Sequence, residues 1–156
     1  MKTKRIGILI LFVILNFGAL GIGTYFMDNG PNDSWYLTLN KAPWTPPGWV
    51  FGAAWFSIML CFSFFMMHFY DLFKSSKPFL ILFGIQWVLN ISWNLFFFNL
   101  QEIFVGLVVL LLLIIILFII LRISLRKGSY QSFLIAPYIL WMMVAISLNA
   151  YIYINN

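Results

Sequence analysis

The stretch Ile103–Leu121, IFVGLVVLLLLIIILFIIL, runs for 19 residues without a charged or amide side chain. Wound as a helix at 1.5 Å per residue it is about 28 Å long, which matches the roughly 30 Å hydrocarbon thickness of a bilayer. The rest of the chain has the same character. Of its 156 residues 63% are hydrophobic and 8% charged, and the mean hydropathy is +0.99. A soluble domain carries about 25% charged residues. This chain cannot cover itself with polar surface, so it is an integral membrane protein. Outward from Ile103 four more apolar runs appear. The sequence predicts five spans, at about residues 6–27, 50–70, 79–100, 103–123 and 133–154. They make one all-α bundle, residues 1–156, in the cell membrane.

The charges set the orientation. Lys2, Lys4, Arg5, Lys74, Lys77, Arg122, Arg126 and Lys127 fall on one side of the predicted spans, and only Lys41 on the other. The positive-inside rule then places the N-terminus in the cytoplasm and the C-terminus outside. The net charge of +5 is explained by this topology, and no nucleic-acid partner is expected. Met1–Arg5 before an apolar run resembles a signal peptide. The run is longer than a signal's, with no small-residue cleavage site, so an uncleaved first span is expected.

Chemistry is constrained by absences. No Asp, Glu, Lys or Arg lies in the middle of a span, which argues against an ion-coupled pump. Paired carboxylates, a Ser–His–Asp set and metal-spaced His/Cys groups are all missing, so conventional acid–base or nucleophilic catalysis has no candidates. His68 is the only histidine and falls near the cytoplasmic end of the second span. No metal site is expected. Cys61 stands alone in an apolar run and reads as a packing residue.

Between the first two spans lies the aromatic stretch Ser34–Trp55. It holds four of the seven tryptophans, Trp35, Trp44, Trp49 and Trp55, and three of the six prolines, Pro43, Pro46 and Pro47. These rings form either an interfacial belt or a packed cover over a site. In the third span Gln86, Asn90 and Asn94 recur every four residues and share a face, with Trp93 and Phe97 on or beside it. Amides cannot face lipid cheaply. They either join helices by hydrogen bonds or line a ligand cavity, and the two roles are compatible. Phe51, Trp55, Met59 and Phe62 share a face of the second span, and Tyr138, Trp141, Ala145 and Asn149 a face of the fifth. A large ring, a small residue and an amide on one face leave room for a planar guest. Pro137 marks the first turn of the fifth span or bends it. Two small-residue pairs, Ala19/Gly23 and Gly48/Gly52, permit close helix contact within or between chains.

Three blocks of residues resemble the translocator protein / tryptophan-rich sensory protein (TspO/MBR) family. The first is Trp35-Tyr36, Leu39, Lys41, Trp44, Pro46-Pro47, Trp49, Phe51 and Trp55. The second is Gln86, Leu89-Asn90, Trp93 and Phe97-Phe98. The third is Pro137-Tyr138, Trp141, Ala145 and Leu148-Asn149. The resemblance implies a five-helix bundle, usually dimeric. Its pocket opens toward the loop between the first two spans and binds porphyrins such as protoporphyrin IX and haem. By family position the ligand-binding residues are Tyr36, Trp44, Trp55, Met59, Asn90, Trp93, Trp141 and Ala145. No resident cofactor is required, and the porphyrin is ligand or substrate. Some positions depart from the family pattern. Lys41-Ala42-Pro43-Trp44 stands where the family reads Lys-Pro-x-Trp, Met59 replaces an aromatic, and Val109 replaces an acidic residue. No Lys or Arg follows Tyr151 or Tyr153, so the cholesterol motif is incomplete.

The expected function is a membrane receptor or sensor for porphyrins. One alternative is a light-dependent enzyme that degrades protoporphyrin, with Trp55 and Trp141 as the catalytic electron donors. Others are a facilitative porphyrin or lipid transporter and a purely structural partner protein.

Overall fold

The computed structural model describes residues 2–73 and 77–156. Lys74, one of the residues in the charge count, lies outside the described residues. The elements are α1 (Lys2–Met27), α2 (Ser34–Thr38), α3 (Gly48–Phe73), α4 (Lys77–Asn94), α5 (Ile103–Arg126) and α6 (Ala136–Asn155). Short 3₁₀ turns precede α2 and α6, at Gly30–Asn32 and Tyr130–Ile135, and a π turn, Leu95–Asn99, continues α4. Among the described residues five helices are long and apolar enough to cross a membrane. The protein is a multi-pass, all-helical membrane bundle. Only helices and closed barrels can satisfy their backbone in hydrocarbon, so this composition leaves no other choice.

The five long helices close a ring. α1 packs against α3 and α4, α4 against α5, α5 against α6, and α6 back against α3. α3 and α4 follow one another in sequence, yet α1 stands between them. They meet near their linked ends, where Phe79 lies against Phe69 and Tyr70, with ring centroids 5.7 Å away in both cases. That half of the bundle is filled by aromatic rings. Phe62, Phe65 and Phe69 stack along α3, and Leu113, Leu117 and Ile120 of α5 are buried beside them.

Polar ties fix the helices against one another. Asn16 Nδ2 donates to Ser63 Oγ at 2.9 Å, joining α1 to α3. Trp87 Nε1 donates to the Leu15 carbonyl at 2.9 Å, joining α4 to α1. Ala19 and Gly23 are buried within the chain, and a Cβ on Gly23 would lie 2.7 Å from Asn94 Nδ2. This small pair therefore serves the α1–α4 contact inside one chain. Gly48 and Gly52 face open space. Arg5 Nε and Asp71 Oδ2 form an ion pair of 2.9 Å between α1 and α3. Both side chains are substantially exposed, so its contribution is below about 1 kcal/mol.

Several boundaries differ from the sequence expectation. The second span extends to Gly48–Phe73, and the third ends as an α-helix at Asn94. The fifth begins as a 3₁₀ turn and becomes α-helical at Ala136, with Pro137 in its first turn. There the missing N–H costs nothing.

Candidate functional site

The cover comes first. Asp33 opens α2, its Oδ1 accepting from the Trp35 amide at 2.8 Å, the role an N-cap aspartate plays. Lys41 closes it. Its Nζ donates to the carbonyls of Tyr36 (2.9 Å), Leu37 (3.2 Å) and Leu39 (3.4 Å), satisfying carbonyls that a helix end leaves open. So pinned, α2 lays Trp35 and Tyr36 over the π turn. Trp35 meets Phe97 at 5.8 Å, and Tyr36 meets Phe98 at 5.3 Å. Burial pushes the Tyr36 phenol above its ordinary value of 10.0, so it remains a neutral hydroxyl at physiological pH. The π turn wedges an extra residue into the helix and turns consecutive rings, Phe97 and Phe98, toward the cover. Such turns recur at functional sites.

After α2 the chain turns at Ala42–Thr45. Thr45 donates to the Ala42 carbonyl at 2.9 Å, and Pro43 holds the second position of the turn, where its fixed φ is favoured. This is the physical role of the displaced proline. The turn sends Trp44 to the flank of α6. Its Nε1 donates to Ser147 Oγ at 3.2 Å, and its ring meets Tyr151 at 5.3 Å. Ser147 lies nine residues after Tyr138, half a revolution around the helix at about 100° per residue. Trp44, 55% exposed, is therefore on the opposite face of α6 from Tyr138, apart from the other candidate residues. Asn40 adds a second tie, its amide N–H donating to Asn156 Oδ1 at 2.9 Å and its Nδ2 to the Asn155 carbonyl at 3.1 Å. The loop is latched to the end of α6. Trp44→Ala should release it, raising hydrogen exchange of the Lys41–Thr45 amides about tenfold, the equivalent of one hydrogen bond and one ring contact. Unchanged exchange would show that the Asn40 tie and the prolines hold the loop without Trp44.

Beneath the cover two hydrogen bonds pin α4 to α6. The lower one runs from Gln86 Nε2 to the Tyr138 hydroxyl, 3.0 Å. In the upper one, Asn149 is oriented so that its amide satisfies both neighbours. It accepts from Trp93 Nε1 at 3.3 Å and donates to the Ile103 carbonyl at 3.0 Å. Asn90 lies between these ties on α4, and Trp141 and Ala145 lie between them on α6. From α3, Trp55 meets Tyr138 edge-on at 5.9 Å and Phe51 meets Trp141 at 5.4 Å. The structure thus sets Asn90 on α4 and Trp141 and Ala145 on α6 along the stretch between the two ties, with Trp55 of α3 against the lower one. Trp93 caps that stretch from above, stacked on Phe97 at 5.5 Å.

Asn90 is the exception in this layer. It is 7% exposed, and its side chain makes no hydrogen bond among the described residues. One turn below, Gln86 Oε1 is buried without a partner. The Asn149 amide, by contrast, is paired on both sides, and Asn94, further up α4, packs at Gly23. Met59 is fully buried among the core side chains and forms packing below the aromatic level. His68 Nδ1 lies 2.8 Å from the Phe64 carbonyl, at the far end of α3 from the cover. Among the described residues no cluster of His, Cys, Asp or Glu could hold a metal.

Close approach at Gly106 completes the wall. A Cβ there would fall 3.1 Å from Phe97 Cβ and 3.2 Å from the Asn149 side-chain amide, so glycine lets α5 lie against both the π turn and the upper tie. Sequence reasoning missed Gly106, and with it Asn16, Ser63 and Trp87. The signal for Asn16 was available, since an amide inside an apolar run needs a partner.

Comparison with known proteins places this architecture. The family model described as the TspO/MBR family matches residues 9–154. The chain is 30% identical over 144 residues to "Tryptophan-rich protein TspO" of Archaeoglobus fulgidus, covering 92% of this chain and 94% of the relative. It is 29% identical over 117 residues to "Tryptophan-rich sensory protein" of Cereibacter sphaeroides, covering 75% and 73%. With "Tryptophan-rich protein TspO" of Bacillus cereus it shares 27% identity over 158 residues, the full length of both.

Proposed function

Because the chain belongs to the TspO/MBR family, we propose that it is a membrane sensor that binds a porphyrin, protoporphyrin IX or haem, within the bundle. The name of the Cereibacter sphaeroides relative, a sensory protein, supports the sensory part of this reading. The observation that carries the binding part is Asn90, 7% exposed and without a hydrogen bond among the described residues, on α4 between the Gln86–Tyr138 and Trp93–Asn149 ties, with the indoles of Trp55 and Trp141 on the neighbouring α3 and α6. A buried amide without a partner costs about 1–3 kcal/mol. A ligand that brings a hydrogen-bonding group to this level removes that cost, and flat indole faces favour an aromatic guest.

The cover supplies the polar end. Lys41 and the Trp44 indole are already bonded to Tyr36, Leu37 and Leu39 carbonyls and to Ser147. The Tyr36 hydroxyl and the Trp35 indole N–H make no hydrogen bond within the described residues. They are the groups to receive the porphyrin carboxylates. No histidine reaches the site, so free-base porphyrin binds at least as well as haem.

Titrating the purified protein with protoporphyrin IX and following tryptophan fluorescence tests this. Saturable quenching at one porphyrin per chain, weakened in Trp141→Ala, is expected. Linear, non-saturating quenching, or equal affinity in the variant, would sink the proposal. The same samples under light address the enzymatic alternative. Porphyrin bands lost in the wild type but kept in Trp55→Phe and Trp141→Phe would replace a receptor with a photodegrading enzyme.

A further inference from the structure

At the end of the bundle away from the cover, a furrow of about 510 Å³ lies on α5, lined by Phe118, Leu121, Arg122, Leu125 and Arg126. Its lining combines two chemistries side by side. Phe118 and Leu125 expose apolar surface, while Arg122 and Arg126 sit one helical turn apart on the same face. The helix macrodipole accounts for a cation in the last turn, Arg126. It does not account for Arg122, a turn further into the apolar span.

Among the described residues nothing neutralises these two guanidinium groups. The chain has four acidic residues, Asp28, Asp33, Asp71 and Glu102. Asp71 is paired with Arg5. Asp28 and Asp33 lie in the loop at the cover end, and Glu102 caps the start of α5, about 36 Å from Arg126 at 1.5 Å per residue. The nearby Lys127 turns away, its Nζ 5.9 Å above the Phe73 ring. An occupant must therefore bring negative charge to the Arg pair and an apolar tail to Phe118, Leu121 and Leu125.

We propose that this furrow binds one anionic phospholipid, with Arg122 and Arg126 on its phosphate and the apolar residues against the upper acyl chain. A guanidinium fork matches phosphate oxygens in pairs. The charge count places this end in the cytoplasmic leaflet, where anionic lipids attract basic residues. A zwitterionic lipid presents a phosphate but no net charge, so it fits less well. The site is separate from the porphyrin level and does not rest on it.

Native mass spectrometry of the full chain in detergent tests the proposal with phosphatidylglycerol, phosphatidylcholine or inorganic phosphate added. Phosphatidylglycerol should be retained about tenfold more than phosphatidylcholine, consistent with two basic residues at a charged surface. The double variant Arg122→Gln/Arg126→Gln should fall to the phosphatidylcholine level. Equal retention of the two lipids, retention unchanged in the double variant, or inorganic phosphate held as well as the lipid would each overturn it. A photoactivatable phosphatidylglycerol on the wild-type protein gives a second reading that needs no variant. Crosslinks should map to the Phe118–Arg126 segment, and crosslinks confined to other helices refute the assignment.

Discussion

Tyr138→Ala should lower the stability of the bundle by about 3–5 kcal/mol, the range for emptying a large buried ring. Tyr138 is buried where three helices converge. Its ring meets Phe62 at 5.2 Å and Trp55 at 5.9 Å from α3. Its hydroxyl holds Gln86 of α4. Alanine leaves a void and strips Gln86 of its one partner. Tyr138→Phe separates the two effects, since the ring contacts stay and only the hydroxyl is lost. That variant should cost about 1–2 kcal/mol, the penalty of an orphaned buried amide. Thermal or denaturant unfolding in detergent measures both. If Tyr138→Phe proves as damaging as Tyr138→Ala, the polar tie dominates and the packing account is wrong.

Asn90→Leu should move two properties in opposite directions. Removing an unpaired buried amide and filling the space with an apolar side chain should stabilise the protein by about 1 kcal/mol. The same change removes the ligand's partner and should weaken porphyrin binding about tenfold. Asn149→Leu provides the contrast. That amide serves both Trp93 and the Ile103 carbonyl, so its loss should destabilise by about 1–3 kcal/mol. Unfolding curves and porphyrin titrations on the two variants check the pair. A destabilised Asn90→Leu would mean that Asn90 is a structural amide, and the site would lose its main support.

The architecture was legible in the sequence where hydrophobic length decides it. Five runs long enough to span gave five spanning helices, because lipid allows the backbone little else. The ends were less legible. Hydropathy continues through Leu95–Asn99, while the hydrogen-bond pattern changes from α to π there, and apolarity does not register that change. α2 was hidden for another reason. Five residues are too few to show a period, and its stability comes from Asp33 at one end and Lys41 at the other. The amide strip on α4 was visible as a strip, but its division of labour was not. Gln86 found Tyr138, Asn94 packed at Gly23 and Asn90 stayed unpaired, outcomes set by which helix each residue faces. Trp44 shows the limit most clearly. Its place in an aromatic-rich stretch suggests a cavity wall, yet one turn at Ala42–Thr45 carries it to the outer flank of α6.

The ring order has a consequence for how the protein is made. Helices enter the membrane in the order of synthesis, and neighbours in sequence ordinarily pair as they arrive. Here α1 separates α3 from α4, and α6 is the piece that joins α5 to α3. Until α6 is inserted the bundle is an open arc with its aromatic wall facing lipid. Trp141, Ala145 and Asn149 all arrive with that last helix, as do the partners of Trp44 and Asn40. The candidate level and the latch beside it therefore come into existence together, when α6 inserts, and a chain without α6 has neither.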